Sequence, residues 1–167
     1  MLTIKKAALH HIELLRSLAR EIWTTHYPGI ITIDQIEYML DLMYSTETIK
    51  KEINSGVIWE IIEKEDEPIG FISVTCTKDG TVKLNKLYIK NTYHGKGFGQ
   101  RALQHVMNFA KKNNFNRVCL TVNKGNMNAI KAYEKAGFIR TDSVVNDIGG
   151  GYVMDDYIYT FTINANR

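Results

Sequence analysis

The sequence predicts an α/β fold with a mixed, mostly antiparallel central sheet, and three features carry that prediction. Residues 57–63, 69–77 and 81–89 are rich in β-formers, and turn chemistry at Glu65-Asp66-Glu67-Pro68 and Lys78-Asp79-Gly80 separates them, as in an antiparallel meander. A glycine-rich segment, His94-Gly95-Lys96-Gly97-Phe98-Gly99, then joins the third run to a helical pattern. The strand-like run at 117–122 follows that helix, so it should lie parallel to 81–89 through a right-handed crossover. Runs at 138–145 and 153–163 bring the sheet to six or seven strands, with helices on both faces. The chain of 167 residues fits one domain, 1–167, large enough to bury a core without metals or crosslinks.

The elements can be justified in order. Residues 2–6 form a short strand. Leu15, Leu18, Ala19 and Ile22 then follow the i, i+3, i+4, i+7 stripe of a helix. Residues 24–31, with His26, Tyr27, Pro28 and Gly29, read as a loop. Thr32 with Gln35 is a capping box, and Ile36, Met39, Leu40 and Met43 stripe the helix it opens. A short helix covers 46–55. Within 81–89, Val82 and Leu84 share one face while Leu87 and Ile89 fall on the other. That slip of phase is the mark of a β-bulge, expected within 85–89, and a bulge releases backbone groups from the ladder. Leu103, Val106, Met107 and Ala110 stripe the helix after the glycines, and Ala129, Ala132, Tyr133 and Ala136 stripe a later one that Gly137 ends. Trp23 and Trp59 read as core.

Composition narrows the function. A net charge of +3 with dispersed lysines, paired only at Lys5-Lys6, Lys50-Lys51 and Lys111-Lys112, lacks the concentrated basic face of a nucleic-acid binder. The N-terminus has no apolar stretch suited to a signal peptide or membrane span, so no membrane association is expected. Cys76 and Cys119 each sit in an apolar run without Cys or His at ligand spacing. Reduced, buried thiols, a cytoplasmic location and no metal site are the matching expectations. The exposed final strands suit a homodimer.

The glycine segment suggests an anion. Glycines between a strand and a helix let backbone approach a ligand closely, and the first helical amides point at whatever charge lies before them, a phosphate or pyrophosphate above all. A nucleotide P-loop needs Ser or Thr after Gly-Lys, but Gly97 follows Gly95-Lys96. The dinucleotide fingerprint fails as well, since the next strand ends in Asn123, not in Asp or Glu. A second segment complements the first: Asn123, Asn126 and Asn128 lead into the helix carrying Tyr133, closed by Gly137-Phe138. Each feature alone has a bland account, asparagines as caps and Tyr133 as core. Their joint occurrence does not.

Leu87-Tyr88-Ile89 and His94-Gly95-Lys96-Gly97-Phe98-Gly99, paired with Asn123, Asn126, Asn128-Ala129-Ile130, Ala132-Tyr133-Glu134-Lys135 and Gly137-Phe138, resemble the GNAT superfamily of acyl-CoA-dependent N-acyltransferases. The match spans residues 69–138, and the remaining element order fits the same fold. The resemblance implies acetyl-CoA as cofactor, its pyrophosphate on His94, Gly95, Lys96, Gly97, Phe98, Gly99 and Gln100. It implies pantetheine bound by the backbone of Leu87, Tyr88 and Ile89, and Tyr133 as acid for the departing thiolate. His94 stands where the family often has Gln or Arg, leaving the pyrophosphate to the backbone and Lys96. Residues 89–93 and the run from Tyr152 to Tyr159 resemble the polyamine-acetylating branch less closely.

Elementary chemistry agrees with those roles. The Ile89 N–H is suited to polarising a thioester carbonyl, an effect of about 3 kcal/mol in comparable sites. A tyrosine, with a reference pKa of about 10, is closer to a thiol than a carboxylic acid is. Asn128, then Asn123 and Asn126, are the side chains expected at the cofactor. The amine substrate, a small molecule with polyamines among the candidates, needs a base, for which Glu21, His26, Asp155 and Asp156 qualify. His26 beside Tyr27 is the preferred substrate-side residue. An exposed turn is the competing reading of Asp155-Asp156. An acyl-CoA-binding sensor that lacks turnover is the alternative to an enzyme.

Overall fold

The structure, a computed structural model, describes residues 1–163. Its seven strands follow the order β1-β2-β3-β4-β5-β7-β6: β1 (Leu2–Lys6), β2 (Ile58–Lys64), β3 (Glu67–Cys76), β4 (Thr81–Ile89), β5 (Arg117–Asn123), β6 (Ile139–Gly149) and β7 (Tyr152–Thr162). The mixed, mostly antiparallel sheet expected from the sequence is therefore present. By compactness the chain divides into two units, Met1–Val74 with Lys86–Ala102, and Thr75–Asn85 with the residues from Leu103 onward.

In the first unit β1 pairs antiparallel with β2, and β2 with β3. The β2–β3 turn is tighter than expected. Glu65 and Asp66, at φ 51° and 69°, make a two-residue left-handed turn, so Glu67 and Pro68 already belong to β3. Three helices accompany these strands: α1 (Ile12–His26), α2 (Ile33–Tyr44) and α3 (Thr46–Asn54). Leu15, Leu18, Ala19 and Ile22 of α1 are all buried, as their spacing requires. The helix runs further than expected, through Thr24 to His26, which leaves a shorter connection. Thr24 Oγ1 donates to the Arg20 carbonyl at 2.6 Å and Thr25 Oγ1 to that of Glu21 at 2.8 Å, so both threonines satisfy themselves within the helix. Thr32 caps α2, its hydroxyl accepting from the Gln35 amide at 3.1 Å, while the Gln35 side chain turns to Met39 Sδ. Trp23, Tyr44, Trp59, Phe71 and Tyr88 form a connected aromatic cluster with ring separations of 5.6 to 6.1 Å. The buried Lys86 places its ammonium 5.4 Å from the Tyr44 ring and 5.1 Å from that of Trp59.

In the second unit β4 runs parallel to β5, Thr81 opposite Arg117 through Leu84 opposite Leu120. β7 then pairs antiparallel with both β5 and β6. Helix α4 (Phe98–Lys112) buries Leu103, Val106, Met107 and Ala110, each large member contributing about 1.5–3 kcal/mol on burial. Helix α5 (Met127–Lys135) departs from expectation. Its buried residue is Ile130, whereas Ala129, Ala132, Tyr133 and Ala136 are only half-buried. An alanine stripe marks one face of a helix without showing how deeply that face sinks. Gly137, at φ 102°, ends α5 as expected. The thiols also differ from expectation. Cys76 is exposed because it ends β3, beyond a stretch buried on both faces, and Cys119 is half-exposed because it alternates with the buried Val118 and Leu120 of β5; both are free. Asp155-Asp156 lies inside β7 and not in a turn.

Candidate functional site

In the first unit, the end of β4 and the segment after it gather most of the residues singled out by the sequence. A single 3-10 turn, Asn91–Tyr93, leads into the glycine segment. Gly95 and Gly97 hold φ values of 78° and 82°, open to glycine and costly for other residues. The Gly97 carbonyl accepts from the Arg101 amide at 3.1 Å, which sets the start of α4. The Phe98 and Gly99 amides therefore belong to the first helical turn, where the ladder supplies no acceptor, and Gln100 completes that turn. An added Cβ at Gly95, Gly97 or Gly99 would meet nothing within 4 Å, so the segment has open space on its side-chain side. Lys96 is exposed, its ammonium 5.8 Å from the Tyr93 ring. The arrangement suits a multiply charged anion.

The segment is anchored from behind. His94 Nε2 bonds the Ile89 carbonyl at 2.8 Å, the Lys90 amide donates to the Ile69 carbonyl at 2.8 Å, and Tyr93 Oη donates to Glu67 at 2.7 Å. Here His94 secures the end of β4, a function its place in the sequence does not announce. Gly70 of β3 lets β4 come close, since a Cβ there would collide with the Tyr88 carbonyl and stand 3.0 Å from Ile89 Cα.

The substrate-side candidates meet the same region. Tyr27 Oη and Tyr88 Oη lie 3.0 Å apart, and the Tyr27 ring is 4.4 Å from Trp23. The His26 and His94 rings are 6.1 Å apart, and Glu21 pairs with Lys90 at 3.6 Å. Glu21, His26, Tyr27, Tyr88 and His94, scattered along 74 positions of sequence (21 to 94), thus share one neighbourhood.

The second unit carries the asparagines and Tyr133. Asn123 Oδ1 accepts from the Gly125 amide at 2.8 Å, and Asn126 Oδ1 caps α5 by accepting from the Ala129 amide at 3.3 Å. Those oxygens shape the turn between β5 and α5. Asn128 is exposed on the first turn of α5, and Tyr133 stands 5.9 Å from Phe138, ring to ring. Asp155 holds Lys124 at 2.7 Å, and the Lys124 ammonium also lies 5.3 Å from the Tyr157 ring. Asp156 is buried at 2% exposure, and burial first, then the Asp155 charge, push its carboxyl up to about 6 against the weaker pull of Lys124. Its depth was hidden in the sequence by its neighbour. A strand period laid over residues 152–159 separates the two aspartates onto opposite faces.

The chain belongs to the acetyltransferase (GNAT) family, whose model matches residues 14–138. Membership defines it as an N-acetyltransferase that takes its acetyl group from acetyl-CoA. Among curated relatives it is similar to the spermidine N(1)-acetyltransferase of Thermoplasma acidophilum, 27% identical over 91% of this chain and 94% of that one. Among solved structures it resembles the PaiA N-acetyltransferase of Thermoplasma acidophilum in complex with coenzyme A, with a TM-score of 0.84 at 26% identity over 98% and 99% of the two chains. A GCN5-related N-acetyltransferase from Rhodopseudomonas palustris has the same fold, with a TM-score of 0.81 at 14% identity over 96% and 95%.

Proposed function

We propose that this protein acetylates a primary amine of a small, cationic, polyamine-like acceptor by direct attack on acetyl-CoA in a ternary complex. The observation that carries the reading is the first turn of α4, with left-handed Gly95 and Gly97 before it and open space beside the glycines. A pyrophosphate matches that turn in charge and in donor geometry. The phase slip between Leu84 and Leu87 supports a bulge in β4, whose released backbone groups would pair with the pantetheine amides at Leu87, Tyr88 and Ile89. Asn123, Asn126 and Asn128 complete the cofactor side, and Tyr133 supplies the proton for the sulfur. Glu21, His26 and Tyr27 of the first unit are the acceptor-side candidates, and Asp155 of the second unit is a separate one. The similarity to a spermidine acetyltransferase and to a coenzyme A complex supports both halves of the reading.

In this reading residues 1–167 act as one N-acetyltransferase domain. The free, exposed Cys76 suits a reducing cytoplasm, and the exposed Ile139, Val145 and Val153 of β6 and β7 suit a homodimer, which light scattering would weigh.

The decisive test pairs calorimetric titration of coenzyme A with an acetyl-CoA consumption assay over spermidine, spermine, aminoglycosides, amino acids and a peptide N-terminus. Spermidine and spermine are expected to be consumed fastest. Binding of coenzyme A with no turnover of any amine would favour an acyl-CoA sensor instead, and no binding at all would end the reading.

A further inference from the structure

The Ile89–Lys90 peptide at the end of β4 is held from both sides. The Lys90 amide donates to the Ile69 carbonyl of β3 at 2.8 Å, and the Ile89 carbonyl accepts from His94 Nε2 at 2.8 Å. Because a carbonyl can only accept, that ring nitrogen carries the hydrogen. The preceding peptide has the same orientation. Its Tyr88 carbonyl lies toward β3, where a Cβ on Gly70 would collide with it. In a trans peptide the N–H and the C=O point in opposite directions, so the Ile89 amide and the Ile89 carbonyl both face away from β3. An edge of this kind ordinarily offers an added strand a donor and an acceptor at each such residue. Here the acceptor is already taken, and Ile89 turns a donor alone to that edge. The ring that takes it is firmly rooted. The His94 amide donates to the Asn91 carbonyl at 3.1 Å, the Tyr93 amide donates to that of Lys90 at 2.9 Å, and Tyr93 Oη donates to Glu67 at 2.7 Å. All of these residues belong to the first unit.

We propose that His94 is a positioning residue that sets the register of the acyl donor on β4, capping the Ile89 carbonyl so that only the Ile89 N–H meets the ligand. The inference rests on the acetyltransferase reading above. Each amide of a pantetheine arm carries both a donor and an acceptor, whereas the thioester carbonyl at its end accepts only. A position that donates only is the complement of the thioester and a poor match for an amide. With the Ile89 carbonyl uncovered, an amide N–H of the arm would find an acceptor there, and the arm would slide along the edge with its thioester carried past the donor. Because His94 also opens the glycine segment, the same bond fixes the span between the Ile89 amide and the first turn of α4. His94 thus acts on the reaction through Ile89.

The test compares His94→Met, His94→Gln and the wild type as full chains, varying acetyl-CoA against a saturating level of the amine that the wild type consumes fastest. Methionine and glutamine have similar length and volume, but only the glutamine amide keeps an N–H to donate. His94→Met should lower kcat at least about tenfold without raising KM for acetyl-CoA, the mark of a donor bound out of register. His94→Gln should keep kcat within about threefold of the wild type, and calorimetry should find coenzyme A affinity within about threefold for both variants. A normal kcat in His94→Met, a loss confined to KM, or equal losses in both variants would overturn the assignment while leaving the acetyltransferase reading intact. Should His94→Met no longer bind coenzyme A, nitrogen NMR of the histidine rings in the wild type decides. A His94 Nε2–H protected from exchange supports the role, and a freely exchanging one refutes it. A wild type that acetylates no amine removes the acetyltransferase reading first, and the register role with it.

Discussion

Single side chains divide the work of the site between chemistry and support. Tyr133 is half-buried on α5 with its ring 5.9 Å from that of Phe138. As the donor to a leaving thiolate it should be replaceable in shape but not in chemistry. Tyr133→Phe is therefore expected to lower kcat at least about tenfold while coenzyme A affinity holds. Steady-state kinetics beside calorimetry check this, and normal turnover by the variant would exclude Tyr133 as the acid. His94 illustrates the opposite assignment. Sequence placed it at the pyrophosphate, yet its ring bonds the Ile89 carbonyl at 2.8 Å and so also braces the strand end that precedes the glycines.

At the scale of elements, the approach of β3 to β4 governs the segment proposed to meet pantetheine. A methyl at Gly70 would strike the Tyr88 carbonyl and crowd Ile89, both backbone, so neither can swing aside. Gly70→Ala should cost about 1–3 kcal/mol of stability and weaken coenzyme A binding in proportion to the displaced strand. A melt and a titration on that variant, both unchanged, would show that β4 tolerates the shift. The periodic elements were legible in the sequence because burial imposes periodicity: the α1 and α4 stripes and the three meander strands lie where the pattern put them. What escaped were features set by local or tertiary detail. Thr24 and Thr25 resemble loop residues until their hydroxyls are seen to bond back to α1. Ile130 sits beside an alanine stripe that looked like the buried face. The glycine segment was legible because its conformation demands glycine, whereas Asp156 differs from Asp155 only through the strand that contains both.

For the molecule as a whole, Asp156 makes stability depend on pH. Its carboxyl titrates at about 6 in the fold against an ordinary 3.8, so the folded state holds the proton more tightly than the unfolded one. Below 3.8 both states are protonated and no penalty exists; between 3.8 and about 6 the unfolded chain ionises first, and stability falls as pH rises. Above that window the penalty is complete, at most about 3 kcal/mol. Asp156→Asn removes the charge but still buries a polar amide, so a net gain of about 1 kcal/mol, or roughly 2–4 °C in Tm, is expected at pH 8 and should vanish near pH 4. Calorimetric melts at the two pH values test it, and an identical offset at both would contradict the buried charge. The thiol at the end of β3 bears on the whole molecule in another way. Any protein that works beside a reactive acyl donor risks acylating itself, and an exposed Cys76 is the obvious victim. Desolvation of its sulfur pushes that thiol upward, so little thiolate is present at neutral pH. The surface nucleophile is thereby kept quiet, and spurious transfer to the protein's own chain competes weakly with delivery to an amine.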